Sequence, residues 1–285
     1  MFMSFGVRAH DFGRGKSEEL ASLIAKVGAT HIQLAPMKAL EGFDPTYRNS
    51  EQVHLSEHIA FKIRETFESR GIRISILGCY FNMAHPDLPI RQQGIRLFQD
   101  YLKIAKHFGT SRVGTETGSI RADYGPDPAN RSEEAFKVFL STVSQLVSVA
   151  QTTDSTVCIE AVAHHIIYDA RRMDRVLKSI GSPHLAVVFD PVNLITSENA
   201  NCQERIFEEC FSLWGDRIQV VHLKDFVLDG NHVRVVPPGK GNLDFALIGK
   251  YLGQLASPVD IIIENCKPDL ILTAVLYLQS MGLLR

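Results

Sequence analysis

Four apolar runs in the second half of this 285-residue chain each end on a side chain that can bind a cation. Glu160 closes VCIE, Asp190 closes VVFD, His222 closes VVH and Glu264 closes IIIE. Carboxylate oxygen and imidazole nitrogen are hard or borderline ligands, suited to Mn²⁺, Mg²⁺, Co²⁺ or Zn²⁺. A single carboxylate at a strand end is commonly a helix cap or the partner of a nearby Arg or Lys. Three unpaired acids buried together differ, because each costs several kcal/mol unless it protonates or a cation sits among them. The set therefore predicts a metal centre, provided that something brings the four ends to one point.

Short β-branched runs alternate along the chain with longer segments of helical periodicity. The strands are expected at 4–10, 31–36, 72–81, 111–117, 156–162, 185–190, 218–225 and 259–265. Between them, Phe136, Phe139, Leu140, Val143, Leu146, Val147 and Ala150 make one apolar stripe that packs on a sheet. Leu20, Leu23, Ile24 and Val27 repeat the pattern, with Ser17 as the expected N-cap and Gly28 as the stop. The last helix is expected from Pro268 to Gly282. Eight βα units of roughly 36 residues match a (β/α)8 TIM barrel of about 250 residues with modest additions. The predicted fold is thus an α/β barrel, one domain over 1–285, whose strands all end at one mouth. A doubly wound open sheet also alternates, but no G-x-G-x-x-G follows the first strand, and GRGK at 13–16 lacks phosphate-loop spacing.

Thirty Lys and Arg against 32 Asp and Glu give a net charge of −2, which argues against a nucleic acid or membrane partner. Cys79, Cys158, Cys202, Cys210 and Cys266 form an odd set with no C-x-x-C pair, and read as reduced, mostly buried thiols. MFMSFGVRAHDFGRGK lacks a signal-peptide core and no run of about 18 apolar residues occurs, so a cytoplasmic location is expected.

The segments around the four ligands are EAVAHH after the fifth strand, FDPVNL at the sixth, HLKD at the seventh with PPGKGNLDF beyond it, and IIIEN at the eighth. With NMAHPDLPIR at 82–91, they resemble the sugar phosphate isomerase/epimerase family, which has the xylose isomerase-like barrel. The resemblance spans essentially the whole chain and points to the superfamily, not to a substrate. It implies a divalent ion, Mn²⁺ first, on Glu160, Asp190, His222 and Glu264, the ligand positions of the ketose 3-epimerases. It also implies that Glu160 and Glu264 are the catalytic pair. One removes a proton beside a substrate carbonyl polarised by the ion, and the other returns one on the opposite face of the enediolate. The substrate implied is a ketose, a sugar phosphate or a related keto-polyol. An inosose-type dehydratase would use the same centre and expel a β-hydroxyl. An endonuclease IV-like DNA repair enzyme would need three zinc ions and further His ligands, near positions where this chain has Glu116 and Asn193. By resemblance, pairing through the outer helices into a homodimer or homotetramer is expected.

Asn193, three residues after Asp190, stands where the epimerases carry a substrate-binding His, and its amide can donate to a hydroxyl. Glu116 at the end of RVGTE, His10 at the end of GVRAH, His165 in the loop after Glu160 and His85 in the MAHPD loop are further candidates for holding a polyol. Lys224 alternates with His222, so it shares a strand face. It can hold a substrate oxyanion or pair with Asp190 or Glu264. Arg234 is offered for the hydroxyl-holding part of an epimerase Arg. PPGKG reads as a structural turn, and 196–205 as a polar insertion acting as lid or oligomer contact. His31, His54, His58, His107, His184 and His232 have no evident partner in the sequence.

Overall fold

The computed structural model describes residues 4–43 and 56–284; His54 lies outside them. Among the described residues ten strands follow in order: β1 (Phe5–Arg8), β2 (His31–Leu34), β3 (Arg73–Gly78), β4 (Arg112–Glu116), β5 (Thr156–Glu160), β6 (Leu185–Phe189), β7 (Ile218–Leu223), β8 (Asp225–Asp229), β9 (His232–Val236) and β10 (Asp260–Ile263). All but β8 and β9 are parallel and close a barrel in the order β1-β10-β7-β6-β5-β4-β3-β2. Around them lie α1 (Ser17–Lys26), α2 (Pro36–Ala39), α3 (Glu57–Glu68), α4 (Leu88–Ile104), α5 (Glu133–Thr153), α6 (Ala170–Ile180), α7 (Gln203–Trp214), α8 (Phe245–Leu252) and α9 (Ile271–Ser280). This is the expected (β/α)8 barrel.

Alternation along the strands assigns each side chain to a layer. Val157, Ile159, Val187, Phe189, Val221 and Ile263 belong to the large core shared with the helices; Phe189, for example, meets Phe207, Phe211 and Trp214 edge-on. The residues between them, Cys158, Ala186, Val188, Val220 and Ile262, form a second, smaller cluster with Ile76 inside the barrel. One further step of two along each strand reaches Glu160, Asp190, His222 and Glu264. The same alternation that fills the barrel with apolar side chains therefore delivers the four polar ones to its mouth.

At the opposite end the barrel floor is also polar. Asp260 pairs with Arg73, with Ser75 Oγ at 2.6 Å and with Arg112 at 3.0 Å. His31 is buried beside them, its Nε2 2.9 Å from the Ile261 carbonyl and its Nδ1 3.0 Å from Thr30 Oγ1. Gly6 of β1 admits that ring, because a Cβ there would lie 2.3 Å from His31 Cδ2.

Helix starts follow their caps, with one correction. Ser56, Asp87, Ser132, Asp169 and Asp244 each accept a backbone N–H at the start of α3, α4, α5, α6 and α8. Ser17 does not: Lys16 holds the N-cap position of α1, and the Ser17 hydroxyl turns to Glu18 instead. Gly28 ends that helix at φ 79° as its position implies. Pro268 opens a 3₁₀ turn (Pro268–Leu270) before α9. The polar stretch 196–205 is a turn stapled by Asn199, which bonds Thr196 N and Leu194 O, running into the first residues of α7.

The antiparallel β8–β9 hairpin interrupts the unit after β7, where a single strand to 225 was expected. Its turn carries Asp229-Gly230-Asn231 with Gly230 at φ 58°, a hairpin signal masked by the apolar run before it. PPGKG is a structural turn: the Asp225 carboxylate accepts from the N–H groups of Phe226, Gly239, Gly241 and Leu243. A carboxylate of the chain itself fills the concavity that glycine-rich loops otherwise offer to phosphate.

Candidate metal centre

Glu160 ends β5, Asp190 follows β6, His222 lies one residue from the end of β7, and Glu264 follows β10. All four are at most 5 % exposed. One ligand atom each from Glu160, Asp190 and His222 fall within 4.8 Å of one another. Glu264 Oε2 is 3.0 Å and Glu160 Oε2 3.3 Å from His222 Nδ1. Both ring nitrogens of His222 are buried, and among the described residues no partner meets either with good hydrogen-bond geometry, the two carboxylates lying off the Nδ1 direction. A buried imidazole without a well-aligned partner, facing carboxylate oxygens, fits a divalent cation held among these side chains.

Asp190 sits where the chain turns, its Oδ1 accepting from Val192 N and Asn193 N at 2.9 and 3.1 Å. Those two donors fix the carboxylate and leave Oδ2 toward the cluster. The Asn193 amide donates to Glu160 Oε1, so it is spent on orienting that carboxylate. Lys224, 4 % exposed, reaches Glu264 Oε1 and Asp190 Oδ2, each at 2.7 Å; the second is an ion pair without hydrogen-bond geometry. Arg8 at the end of β1 adds a contact of 3.2 Å to Glu264 Oε1 and is itself forked onto Asp11.

Charge follows from these contacts. Burial opposes the Lys224 ammonium, but Asp190, Glu264 and Glu160 outweigh it and keep it charged. Burial also opposes a charged His222, yet Glu160 and Glu264 push the ring up to about 10. Burial raises Asp190 to about 6 against the pull of Lys224, with Glu264 and Glu160 adding to the rise. Glu264 goes the other way, its burial overcome by Lys224, His222 and Arg8, which hold it well below the ordinary carboxylate range.

The xylose isomerase-like TIM barrel family model matches residues 21–280. The chain belongs to this family. No curated protein sequence matches it. A D-tagatose 3-epimerase-like protein is similar with TM-score 0.74 and 18% identity, covering 98% of this chain and 97% of its own. The 3-keto-D-glucoside 4-epimerase of E. coli has TM-score 0.73 and 15% identity, covering 98% and 99%. A xylose isomerase-like TIM barrel protein from Mycobacterium smegmatis, solved in complex with magnesium, has TM-score 0.68 and 13% identity, covering 99% and 96%.

Around the centre of this xylose isomerase-like barrel stand most of the other predicted residues. Glu116 ends β4 in register with Glu160, and burial, then Glu160 and Glu264, raise it to about 7. His165 Nε2 lies 3.8 Å from Glu116 Oε2, with the rings of Tyr124 and His164 edge-on to it. Burial, then His164, lower His165 to about 3, so this ring is neutral. His10 is neutral too, lowered to about 3 by burial and by Arg8 and Lys38. His85 is turned into its own loop, Nδ1 accepting from Asp87 N at 3.1 Å.

Arg234 is not brought to the centre and is corrected here. It lies 61% exposed on β9, 4.0 Å from Asp229, because the hairpin carries it away from the barrel. Conversely, Arg8, Lys38 and Tyr80 join the surroundings of the mouth without being among the expected site residues. Lys38 Nζ sits 3.8 Å over the Tyr80 ring, and Gln33 Nε2 donates to the Tyr80 hydroxyl at 2.6 Å. Arg8 was legible, being two residues from Gly6 on the inward face of β1; Lys38 and Tyr80 lie past strand ends, where alternation stops. Among the other histidines, His184 bonds the Ser155 carbonyl at 2.7 Å and His107 lies 3.2 Å from Glu57. The five cysteines are free and all but Cys202 buried. Among the described residues no helix is long and apolar enough to cross a membrane.

Proposed function

We propose that this chain is a metal-dependent sugar isomerase or epimerase that moves a proton on a carbon beside the carbonyl of a keto-sugar. The observation that carries the reading is the convergence of Glu160, Asp190 and His222 within 4.8 Å at a barrel mouth, with Glu264 against the same imidazole. These four residues would hold the cation, Mn²⁺ first, with Mg²⁺, Co²⁺ or Zn²⁺ as alternatives. When bound, the cation supplies the positive charge that lets a proton leave carbon next to a carbonyl at moderate cost.

Glu160 and Glu264 carry the proton, and their surroundings make them unequal. Glu160 Oε1 meets one neutral donor, Asn193, whereas Glu264 Oε1 meets two cations, Lys224 and Arg8. Two cations hold Glu264 as a carboxylate of reduced basicity, and the two acids would divide removal and return of the proton between opposite faces of the substrate. Glu116, His165 and His10 would line the mouth as donors and acceptors for substrate hydroxyls, and Lys224, held on Asp190 and Glu264, would offset the negative charge that the departing proton leaves on the substrate oxygen. The similar folds of a D-tagatose 3-epimerase-like protein and a keto-glucoside epimerase support the sugar reading.

The experiment is metal analysis of wild type beside Glu160→Gln and Asp190→Asn, followed by solvent deuterium exchange into a panel of ketoses. One divalent ion per chain in wild type, reduced in both variants, with deuterium entering a ketose only in wild type, supports the reading. Loss of one water from the substrate would make the enzyme a dehydratase instead. Several zinc ions per chain with cleavage of abasic DNA would replace it by a repair nuclease.

A further inference from the structure

Beside the metal centre, on the β2 to β4 side of the mouth, lies a cavity of about 420 Å³. This is within the usual range for small-molecule sites. Two of its walls are electrostatic neighbours of the carboxylates at the mouth, Tyr80 of Glu160 and Glu264, and Tyr124 of Glu116 and Glu160. Tyr80 carries Lys38 on its ring and receives the Gln33 amide, and Tyr124 packs its ring on His165 at 5.0 Å. A molecule bound at the cation can therefore extend past these two rings.

The cavity is maintained at local expense. Tyr124 holds φ 67°, a left-handed conformation unfavourable for an aromatic residue, and its hydroxyl donates to the Phe81 carbonyl at 3.3 Å. Gly94 sits in the middle of α4, where glycine weakens a helix, and a Cβ there would lie 2.2 Å from Phe81 Cδ2. Phe81 thus lies against the bare helix backbone and its bulk stays out of the neighbouring space.

The polar lining tells what the space accepts. Asn82 is consumed by the backbone: Oδ1 accepts from Ala84 N and Ser119 N, and Nδ2 donates to Arg121 O. His85 has its Nδ1 engaged with Asp87 N. Gln93, the remaining His85 nitrogen and the Tyr80 hydroxyl proton are the side-chain groups left for a ligand, fewer than the hydroxyls of a second sugar ring, each of which must be paired when buried. Among the described residues no Lys or Arg lines the cavity, so none of them offers a phosphate a cationic partner there. The remaining walls are Met37, Ile90, Leu97 and the three aromatic rings.

We infer that this cavity is a subsite for an apolar ring of aryl size carried by the sugar, so that the substrate is a glycoside or similar conjugate. This rests on the sugar reading proposed above. Burial of a phenyl ring there strengthens binding at least about tenfold over the same sugar with a methyl group.

The test titrates phenyl and methyl β-D-glucopyranosides into Mn²⁺-loaded protein by calorimetry, with phenol as a separate probe by saturation-transfer NMR. Ala122→Trp fills the cavity from an exposed turn at its rim, and Gln93→Trp fills it from α4. The expected result is a tenfold or greater preference for the phenyl glycoside in wild type, abolished in both variants with methyl glycoside affinity and melting temperature unchanged. Equal affinities in wild type overturn the subsite. If neither glycoside binds, phenol decides. Saturation transfer seen in wild type and lost in both variants keeps the aryl site, and the deuterium exchange into ketoses described above then decides the sugar reading separately. Absence of transfer in wild type overturns the subsite itself.

Discussion

Lys224 Nζ lies 2.7 Å from both Asp190 Oδ2 and Glu264 Oε1, bridging two acids that arrive from different strands. Its ammonium offsets part of the negative charge that three carboxylates bring to the mouth. Replacing it by an apolar residue of similar length should make the metal-free protein less stable and the metal-bound protein tighter. Lys224→Met is expected to lose about 3 kcal/mol without metal, as for breaking a buried pair, and to bind Mn²⁺ more strongly. Denaturant titration with and without Mn²⁺, together with calorimetry of Mn²⁺ binding, checks both signs; an unchanged affinity would mean that the lysine does not oppose the cation.

The Asn193 side-chain amide donates to Glu160 Oε1, while its backbone N–H, untouched by substitution of the side chain, donates to Asp190 Oδ1. Asn193→Ala leaves Glu160 in place but free to rotate. A loss of roughly 10- to 100-fold in proton exchange or in metal affinity is expected, in line with outer partners of metal ligands elsewhere. Asn193→His, able to donate again, should recover part of it; rates equal to wild type in the alanine variant would remove the positioning role.

Asp225 gathers four backbone N–H groups from its own position and from the turn beyond the hairpin. Asp225→Ala leaves these donors without their acceptor, at about 1 to 3 kcal/mol for each one that stays buried. The expected outcome is a melting temperature lowered by many degrees, with proteolytic cuts appearing first within residues 237–243. Protection of that segment equal to wild type would show that the loop keeps itself folded.

Acid should destabilise the floor of the barrel in two stages. Burial lowers His31 to about 4, so between its ordinary value near 6.5 and pH 4 the unfolded chain takes up a proton that the folded one refuses. Stability therefore falls across that window as pH falls, by up to about 3 kcal/mol from this group. Asp260, held low by Arg73, Ser75 and Arg112 against its burial, contributes stability that is present above about pH 4 and is lost only below it. Urea midpoints measured from pH 7 to pH 4 should decline in wild type and decline less in His31→Gln.

Gly6 faces the His31 ring and the His31 carbonyl, with a Cβ placed 2.3 and 2.6 Å from them. Backbone cannot yield as a flexible side chain can, so Gly6→Ala is expected to cost about 1 to 3 kcal/mol by overpacking. A calorimetric melt decides, and no loss would require that β1 slide relative to β2.

Much of the fold was legible because one rule, alternation along apolar strands, governs both packing and chemistry. It located Glu160, Asp190, His222 and Glu264 by the same step of two that buries Cys158, Val188, Val220 and Ile262. It ceases to apply where the chain leaves the barrel. Lys38, Tyr80 and Tyr124 lie in connections whose paths are set by long-range packing, and Arg234 was misplaced because the turn at 229–231 reverses the chain. Ser17 failed as a cap for a related reason: a polar residue near a helix start satisfies several local geometries equally, and the structure chose the position before it.

The six-residue apolar plug made of Ile76, Cys158, Ala186, Val188, Val220 and Ile262 stands between two charged ends. It works as an insulator. Charge altered at the Asp260 end is remote from the cation ligands, and chemistry at the ligand end proceeds without disturbing the ion pairs beneath. Durability and reactivity are thereby written on separate surfaces of one tube. Stability can thus be lost at Arg73, Ser75 or Arg112 below without the ligands of the cation above being touched.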